Sequence, residues 1–310
     1  MAGFSMCKVM QAKPKILVIG SSNMDLVIQA DHFPRPGETL IGGNFSMISG
    51  GKGANQAVAA ARLGGEVVFL AQVGNDPFGQ VNLESYEREG IDTSLIERNP
   101  DLPSGVALIT VSESGENTII VAPGANAGMD VDNLKKAASK FAWADVVLLQ
   151  LEIPLEVVTE AARMAKAQGK KVILNPAPAR SLPAELLENV DIITPNETEA
   201  EFLTGISVSD ISSAALAAAR FNASGIQKVI ITLGENGAFL ADGNTEEIIP
   251  TQRVKAVDTT AAGDTFNGAL AVALGRGENM NAAVTFALKA ATLSVQRLGA
   301  QTSIPYLSEL

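Results

Sequence analysis

Short, nearly unbroken apolar runs punctuate the chain: "KILVIG" (15–20), "EVVFLA" (66–71), "DVVLLQ" (145–150), "KKVILN" (170–175), "DIITPN" (191–196) and "KVIITLG" (228–234). None alternates apolar with polar positions, which fits strands buried on both faces. Between them, apolar residues recur at three- and four-residue spacing in "NQAVAAARLG", "LEVVTEAARMAKAQG" and "ISSAALAAARFNASG". That is the period of a helix with one face packed. Strand and helix patterns alternate, which predicts an α/β fold with a mainly parallel sheet covered on both sides by helices.

Two regions break this rhythm. Residues 25–49 are rich in Pro and Gly with short alternating runs, and residues 104–122 read as a β-hairpin turning near Ser114-Gly115. Together they predict a small antiparallel β-sheet projecting from the main one as a lid. The opening "MAGFSMCKVMQAKP" lacks a continuous apolar run and reads as a flexible tail over residues 1–13. The rest, 14–310, reads as one α/β domain with a discontinuous lid.

Composition narrows the partners. The 310 residues carry 34 acidic and 23 basic side chains, a formal charge of −11. No basic footprint is available for nucleic acid or an anionic membrane. No stretch has about 18 uninterrupted apolar residues, so no membrane span is expected. A single cysteine, Cys7, and a single histidine, His32, exclude an intramolecular disulfide, a multi-cysteine metal site and a His-His metal pair. The cysteine usage suits a reducing cytosol, so a cytoplasmic protein is expected. His32 is expected to be a loop residue.

The candidate chemistry lies where runs end. "SGGKGANQAVAAARLG" (49–64) places Gly50, Gly51 and Gly53 before a helix. It is either a tight turn or a loop that lets a ligand approach backbone and free helix amides. Its spacing is not that of a Walker A loop, and Gln56 stands where a dinucleotide fingerprint needs its third glycine. "GSSNMD" (20–25) puts Asn23 and Asp25 past the carboxyl end of the first strand, as an Asx turn or as a pair gripping vicinal hydroxyls. In "ITPNETEAE", Asn196 and Glu199 form either a capping box or a seat for hydrated Mg²⁺. "TLGENGAF" (232–239) is a hairpin turn or a nucleotide-facing loop. "VDTTAAGDTFNGAL" begins a helix at Ala262, Gly263 and Asp264, whose first amides are orphan donors. Small side chains there allow a phosphoryl group to approach, and Asp264 could accept a proton from an attacking alcohol. The helix dipole is expected to help keep that carboxylate ionised. Alternatively, Asp264 only stabilises the first turn.

"GGKGANQAVAAARLG" and "DTTAAGDTFNGAL" resemble the two signature motifs of the ribokinase-like, or phosphofructokinase-B type, carbohydrate kinases. "GSSNMD", "NPAPAR", "PNETEAE", "TLGENG" and "RLGAQTS" extend the resemblance, in order, from about Lys15 to Pro305. The resemblance implies a three-layer α/β/α fold and ATP-dependent phosphorylation of D-ribose at its 5-hydroxyl, or of another sugar. It implies Asp264 as base and Ala261, Ala262 and Gly263 as an anion hole. Asn23, Asp25, Gly51, Lys52, Asn55 and Glu152 would hold the sugar. Asn196, Glu199, Thr232, Gly234, Gly237 and Gly263 would lie along ATP and Mg²⁺, with Leu288 only packing near adenine. Potassium would sit near Asp258, Thr260, Ser294, Arg297, Gly299 and Ser303, partly through carbonyls. The lid would cover the sugar and form a homodimer interface. A silent sugar binder has no need of Asp264, and the missing fingerprint disfavours a dinucleotide oxidoreductase.

Overall fold

The computed structural model describes residues 12–243 and 245–310; Cys7 and nearly all of the expected tail lie outside them. The chain opens with β1 (Lys15–Ile19), β2 (Asn23–Ala30), β3 (Phe45–Gly50), α1 (Lys52–Arg62), β4 (Glu66–Gly74) and α2 (Pro77–Arg88). Next come β5 (Asp92–Asn99), β6 (Gly105–Ser112), β7 (Asn117–Ala122), and the short helices α3 (Val131–Lys136) and α4 (Ala138–Trp143). The middle holds β8 (Val146–Leu149), α5 (Leu155–Ala167), β9 (Lys171–Leu174), α6 (Ala184–Leu187), β10 (Ile192–Ile193) and α7 (Glu197–Thr204). The chain ends with α8 (Ile211–Ala223), β11 (Lys228–Thr232), β12 (Ala238–Asp242), β13 (Thr245–Ile249), α9 (Ala262–Gly275) and α10 (Met280–Ser294).

The main sheet has the order β13-β12-β11-β10-β9-β8-β1-β4-β5. Every apolar run of the sequence lies in it, as β1, β4, β8, β9, β10 and β11. Pairing is parallel from β5 across to β11, and β12 and β13 add antiparallel at one edge. Strand residues are apolar on both faces because both faces are covered. Ile16 and Val18 of β1 belong to one core cluster with α1, α9 and α10, whereas Leu17 and Ile19 belong to a second with α3, α4, α5 and α8. The result is a three-layer α/β/α sandwich.

Strand order reverses at β1: the chain first moves outward to β4 and β5, then returns to β8 on the other side. The crevice beyond the carboxyl ends of β1 and β8 is where open α/β sheets bind ligands. Gly20 and Ser21 stand on one side of it, Gln150 and Glu152 on the other.

The small sheet, β3-β2-β6-β7, is made from the two irregular regions. It is mixed rather than antiparallel, because β2 and β6 pair in parallel from Asn23↔Gly105 to Ala30↔Ser112. The cause lies in the main sheet. β2 and β6 continue from β1 and β5, which point the same way, so they leave the body in the same direction. Its β6–β7 hairpin turns at Gly115, with φ 83°.

Candidate active site

The start of α9 closes one end of the crevice. Its N-cap, Ala261, has φ 59°, the one non-glycine residue in the left-handed region among those described. The amide of Ala262 donates back to the Thr259 carbonyl at 3.2 Å, so it contributes a small side chain rather than a free donor. The amides of Ala261, Gly263 and Asp264 have no acceptor among the described residues. A Cβ added at Gly263 would meet no protein atom within 4 Å, and the conformation there is ordinary for any residue. Nothing in the protein itself therefore requires glycine at this position.

Asp264 lies one residue further on, almost fully buried. Its Oδ2 accepts from Asn55 Nδ2 at 3.0 Å and its Oδ1 from Gln56 Nε2 at 3.0 Å. Burial pushes its carboxyl above the ordinary aspartate range; Lys52 and the two amides oppose this without cancelling it. The expected ionising bias of the helix dipole is thus outweighed by desolvation. A carboxyl raised in this direction is better matched to taking a proton near neutrality.

The predicted sugar ligands converge beside Asp264. Asn23 and Asp25 are the first and third residues of β2, both buried and on one face, so they belong to a paired strand and not to an Asx turn. Asn23 Oδ1 accepts from Asn126 Nδ2 at 2.7 Å, which turns its own amino group toward the crevice. Burial, reinforced by Glu152 and Asp264, raises Asp25 to about 7. Burial alone would lower the Lys52 ammonium, but Asp264, Glu152 and Glu199 outweigh it and hold it above the usual lysine range.

The glycines here are positional. A Cβ on Gly50 would lie 2.2 Å from the Asp25 carboxylate, and one on Gly53 would lie 2.6 Å from the Gly20 and Ser21 backbone. The amides at the start of α1 are not free as expected. Lys52 N donates to Glu152 at 3.0 Å, Gly53 N to the Ser21 hydroxyl at 3.3 Å, and Ala54 N to the Ser21 carbonyl at 2.9 Å. Glu152 also accepts from the Ser21 hydroxyl.

On the far side of α9 a cavity of about 420 Å³ is bounded by Asn196, Thr232, Gly234, Gly237 and Leu288, with Gly263 at its inner end. A second cavity of about 200 Å³ shares Asn196, Thr232 and Gly263 and continues to Lys52, Glu199 and Asp264. The two cavities thus lie on either side of a shared wall formed by Asn196, Thr232, Thr259, Ala262 and Gly263. "TLGENG" serves both as the β11–β12 turn and as cavity wall. Asn196 and Glu199 form the reciprocal capping box of α7, at 2.7 and 2.9 Å. Burial raises the Glu199 carboxyl, against the Asn196 amide and Lys52.

Asp258 organises the loop before α9. Its carboxylate accepts from Thr260 N and Oγ1, at 2.9 and 2.6 Å, and from Gly299 N at 2.8 Å. The Ser294 and Ser303 hydroxyls are engaged with the carbonyls of Ala291 and Ala300, and Arg297 pairs with Glu309. The carbonyls of Asp258, Thr260, Arg297 and Gly299 accept no hydrogen bond from the described residues. The Ser294 and Ser303 hydroxyls donate one hydrogen bond each and keep oxygen lone pairs, whereas the Arg297 guanidinium has no acceptor atom to offer a cation. His32 is an exposed loop residue facing Glu38.

Several buried polar residues of the site were not anticipated: Gln56, Gln150, Asn175, Thr194, Asn267 and Asn126. Gln150 and Asn175 directly follow β8 and β9, and Asn267 stands one helical turn from Asp264. A polar residue at the carboxyl end of an apolar run, or i+3 from a candidate acid, was the available signal.

Residues 13–307 match the pfkB family carbohydrate kinase. The chain is 47% identical over 294 residues to the ribokinase of Haemophilus influenzae, covering 95% of this chain and 96% of that one. It is 39% identical to the deoxyribokinase of Salmonella typhi over 95% of this chain and 96% of the other. A solved Arabidopsis thaliana ribokinase complexed with ribose and ATP superposes with a TM-score of 0.89 at 32% identity, covering 96% of this chain and 97% of that one. The chain belongs to the pfkB carbohydrate kinase family and is an enzyme of that family.

Proposed function

From this membership, we propose that the enzyme transfers the γ-phosphoryl group of ATP to the 5-hydroxyl of D-ribose. The observation that carries the proposal is the junction at α9: a buried carboxylate beside unpartnered backbone amides, where the smaller cavity reaches Lys52 and Asp264, within the charge neighbourhood of Asp25 and Glu152. Relatives named for ribose, and one complexed with ribose and ATP, support the choice of sugar and phosphoryl donor.

In this mechanism Asn23 and Asp25 grip the secondary hydroxyls of the sugar, with Gly51, Lys52, Asn55 and Glu152 around it. The small sheet lies over it and excludes water that would compete for the phosphoryl group. Asp264 takes the proton of the 5-hydroxyl as that oxygen attacks phosphorus in line. The amides of Ala261 and Gly263, together with Lys52, stabilise the charge on the transferred group. Adenine lies in the larger cavity against Leu288, with Thr232, Gly234 and Gly237 along the nucleotide. Asn196 and Glu199 would hold Mg²⁺, which supplies charge neutralisation for the phosphates. The carbonyls of Asp258, Thr260, Arg297 and Gly299 would hold a potassium ion, which firms the loop leading into Ala261.

A second copy of the chain is proposed to cover the outer face of the small sheet. There Met47, Leu26, Leu108 and Ile120 make one cross-strand row and Ile28 with Phe45 begin the next; most of these side chains are well exposed. Sedimentation of the purified protein as a monomer would remove this interface. No helix among the described residues is long and apolar enough to cross a membrane, and a cytoplasmic location is proposed.

An ATP-consumption screen over ribose, 2-deoxyribose, fructose, fructose phosphates and nucleosides tests the function. Ribose is expected to give the highest kcat/KM. Good turnover with 2-deoxyribose and none with ribose would replace it with the activity named for the Salmonella relative. Exchanging potassium for a large organic cation is expected to lower turnover, and indifference to the cation would remove the carbonyl site.

A further inference from the structure

We infer that Gln56 is a positioning residue for Asp264, fixing its carboxylate in the orientation from which it takes the proton of the acceptor hydroxyl. The inference rests on the assignment of Asp264 as base. Gln56 is fully buried in the second turn of α1, in a run otherwise made of alanine and valine. Its Nε2 carries two protons and spends both: one on Asp264 Oδ1 and one on Asn175 Oδ1, each at 3.0 Å.

The direction of the amide is dictated from two sides. Asp264 Oδ1 can only accept, which calls for the nitrogen of Gln56, and its oxygen then accepts from Gln150 Nε2 at 2.6 Å. Asn175 Nδ2 donates to the Thr194 carbonyl at 3.1 Å, which presents its oxygen, not its nitrogen, to Gln56. A backbone carbonyl that cannot reverse its polarity thus sets Asn175, and Asn175 with the acceptor-only carboxylate of Asp264 sets Gln56, whose oxygen then receives Gln150. Gln56 in turn ties Oδ1 of Asp264 to the wall while Oδ2 accepts from Asn55, so the two amides together fix the plane of the carboxylate. An apolar residue would fill the same volume but leave two buried acceptors without a donor.

Gln56→Met, close in volume and without a donor, tests this. With ribose and ATP, kcat is expected to fall about tenfold or more while both KM values stay within about twofold. The acid limb of kcat should move to higher pH, because Asp264 loses a donor to its ionised form. Lys52, Glu152, Glu199 and Asp25 also face this carboxylate, so the limb is compared with wild type at saturating sugar, where Asp25 is covered. Gln56→Glu should be partly active at low pH, where its protonated carboxyl can still donate. Its activity should fall as pH rises and a second negative charge forms beside Asp264, a slope that loss of packing does not produce. Gln56→Met with wild-type kcat and an unmoved limb overturns the inference. If that variant does not fold, the pH slope of Gln56→Glu decides, an unsloped profile overturning it. Asp264→Asn is measured alongside. If it keeps wild-type kcat, the base assignment fails and Gln56 with it; if it is inactive while Gln56→Met is normal, only the role of Gln56 fails.

Discussion

Helices α1 and α9 both begin after a cluster of small residues, and they pack on each other so closely that a Cβ on Gly268 would lie 2.6 Å from that of Ala59. Yet their N-termini are put to opposite uses. At α1 the protein consumes its own amides, with Glu152 and Ser21 accepting from Lys52, Gly53 and Ala54. Its glycines admit other parts of the chain: the Gly20–Ser21 backbone at Gly53 and the Asp25 carboxylate at Gly50. At α9 the amides of Gly263 and Asp264 are left over, and Gly263 faces open space. A glycine cluster before a helix therefore says little by itself. What separates a joint from a binding site is whether the chain already fills the space and satisfies the donors.

Alanine at the two glycines sharpens this contrast most. Gly263→Ala is expected to lower kcat about a hundredfold, because the methyl group occupies the approach of the phosphoryl group. Its melting temperature should hold or rise slightly, since alanine in a compatible helical position stabilises by roughly 0.4–1 kcal/mol. Wild-type turnover would mean that the open space is not used. Gly53→Ala should do the reverse, costing about 1–3 kcal/mol of stability through backbone overlap. Calorimetry with an unchanged melting temperature would contradict the tight joint.

A smaller effect concerns the acids between the two helices. From the ordinary 3.8 up to about 7, folded Asp25 holds a proton that the unfolded chain has lost. Stability of the sugar-free enzyme therefore falls as pH rises through that window, and the full penalty remains above it. Asp25→Asn should melt higher than wild type near about pH 8, with the gap closing toward about pH 4.5. A gap independent of pH would exclude Asp25 as its source. The smallest change is expected far from both helix starts: Leu288→Met should leave KM for ATP within about twofold, since the swap conserves both volume and apolar character. A tenfold change would show that Leu288 does more than pack.

The buried centre of the fold was legible because its strands are apolar on both faces. The edges were not: β5 ("DTSLIERN") and β13 ("TEEII") carry charged positions and half-exposed residues, as edge strands do, and gave no clear run. The parallel β2–β6 pairing was hidden because it depends on how β1 and β5 are oriented in the main sheet, which no local window contains. Within the site, the residues flanking Gly263 were readable as a helix start with orphan amides. The fate of the amides at α1 was not, since it turns on Glu152, a hundred residues away from Lys52 in sequence. Gln56 was visible only as a glycine that was missing. Its partners come from three separate stretches that meet only in the folded chain.

The strand β2 begins among the buried residues that face the crevice, at Asn23 and Asp25, and ends exposed in the small sheet at Ile28 and Gln29. No joint separates floor from cover; eight residues of one continuous strand serve as both. If the small sheet swings outward as a unit, it must either bend β2 between those ends or carry Asn23 and Asp25 away from the sugar position proposed for the crevice. In the second case, the residence time of the sugar and the opening time of the sheet would be a single clock.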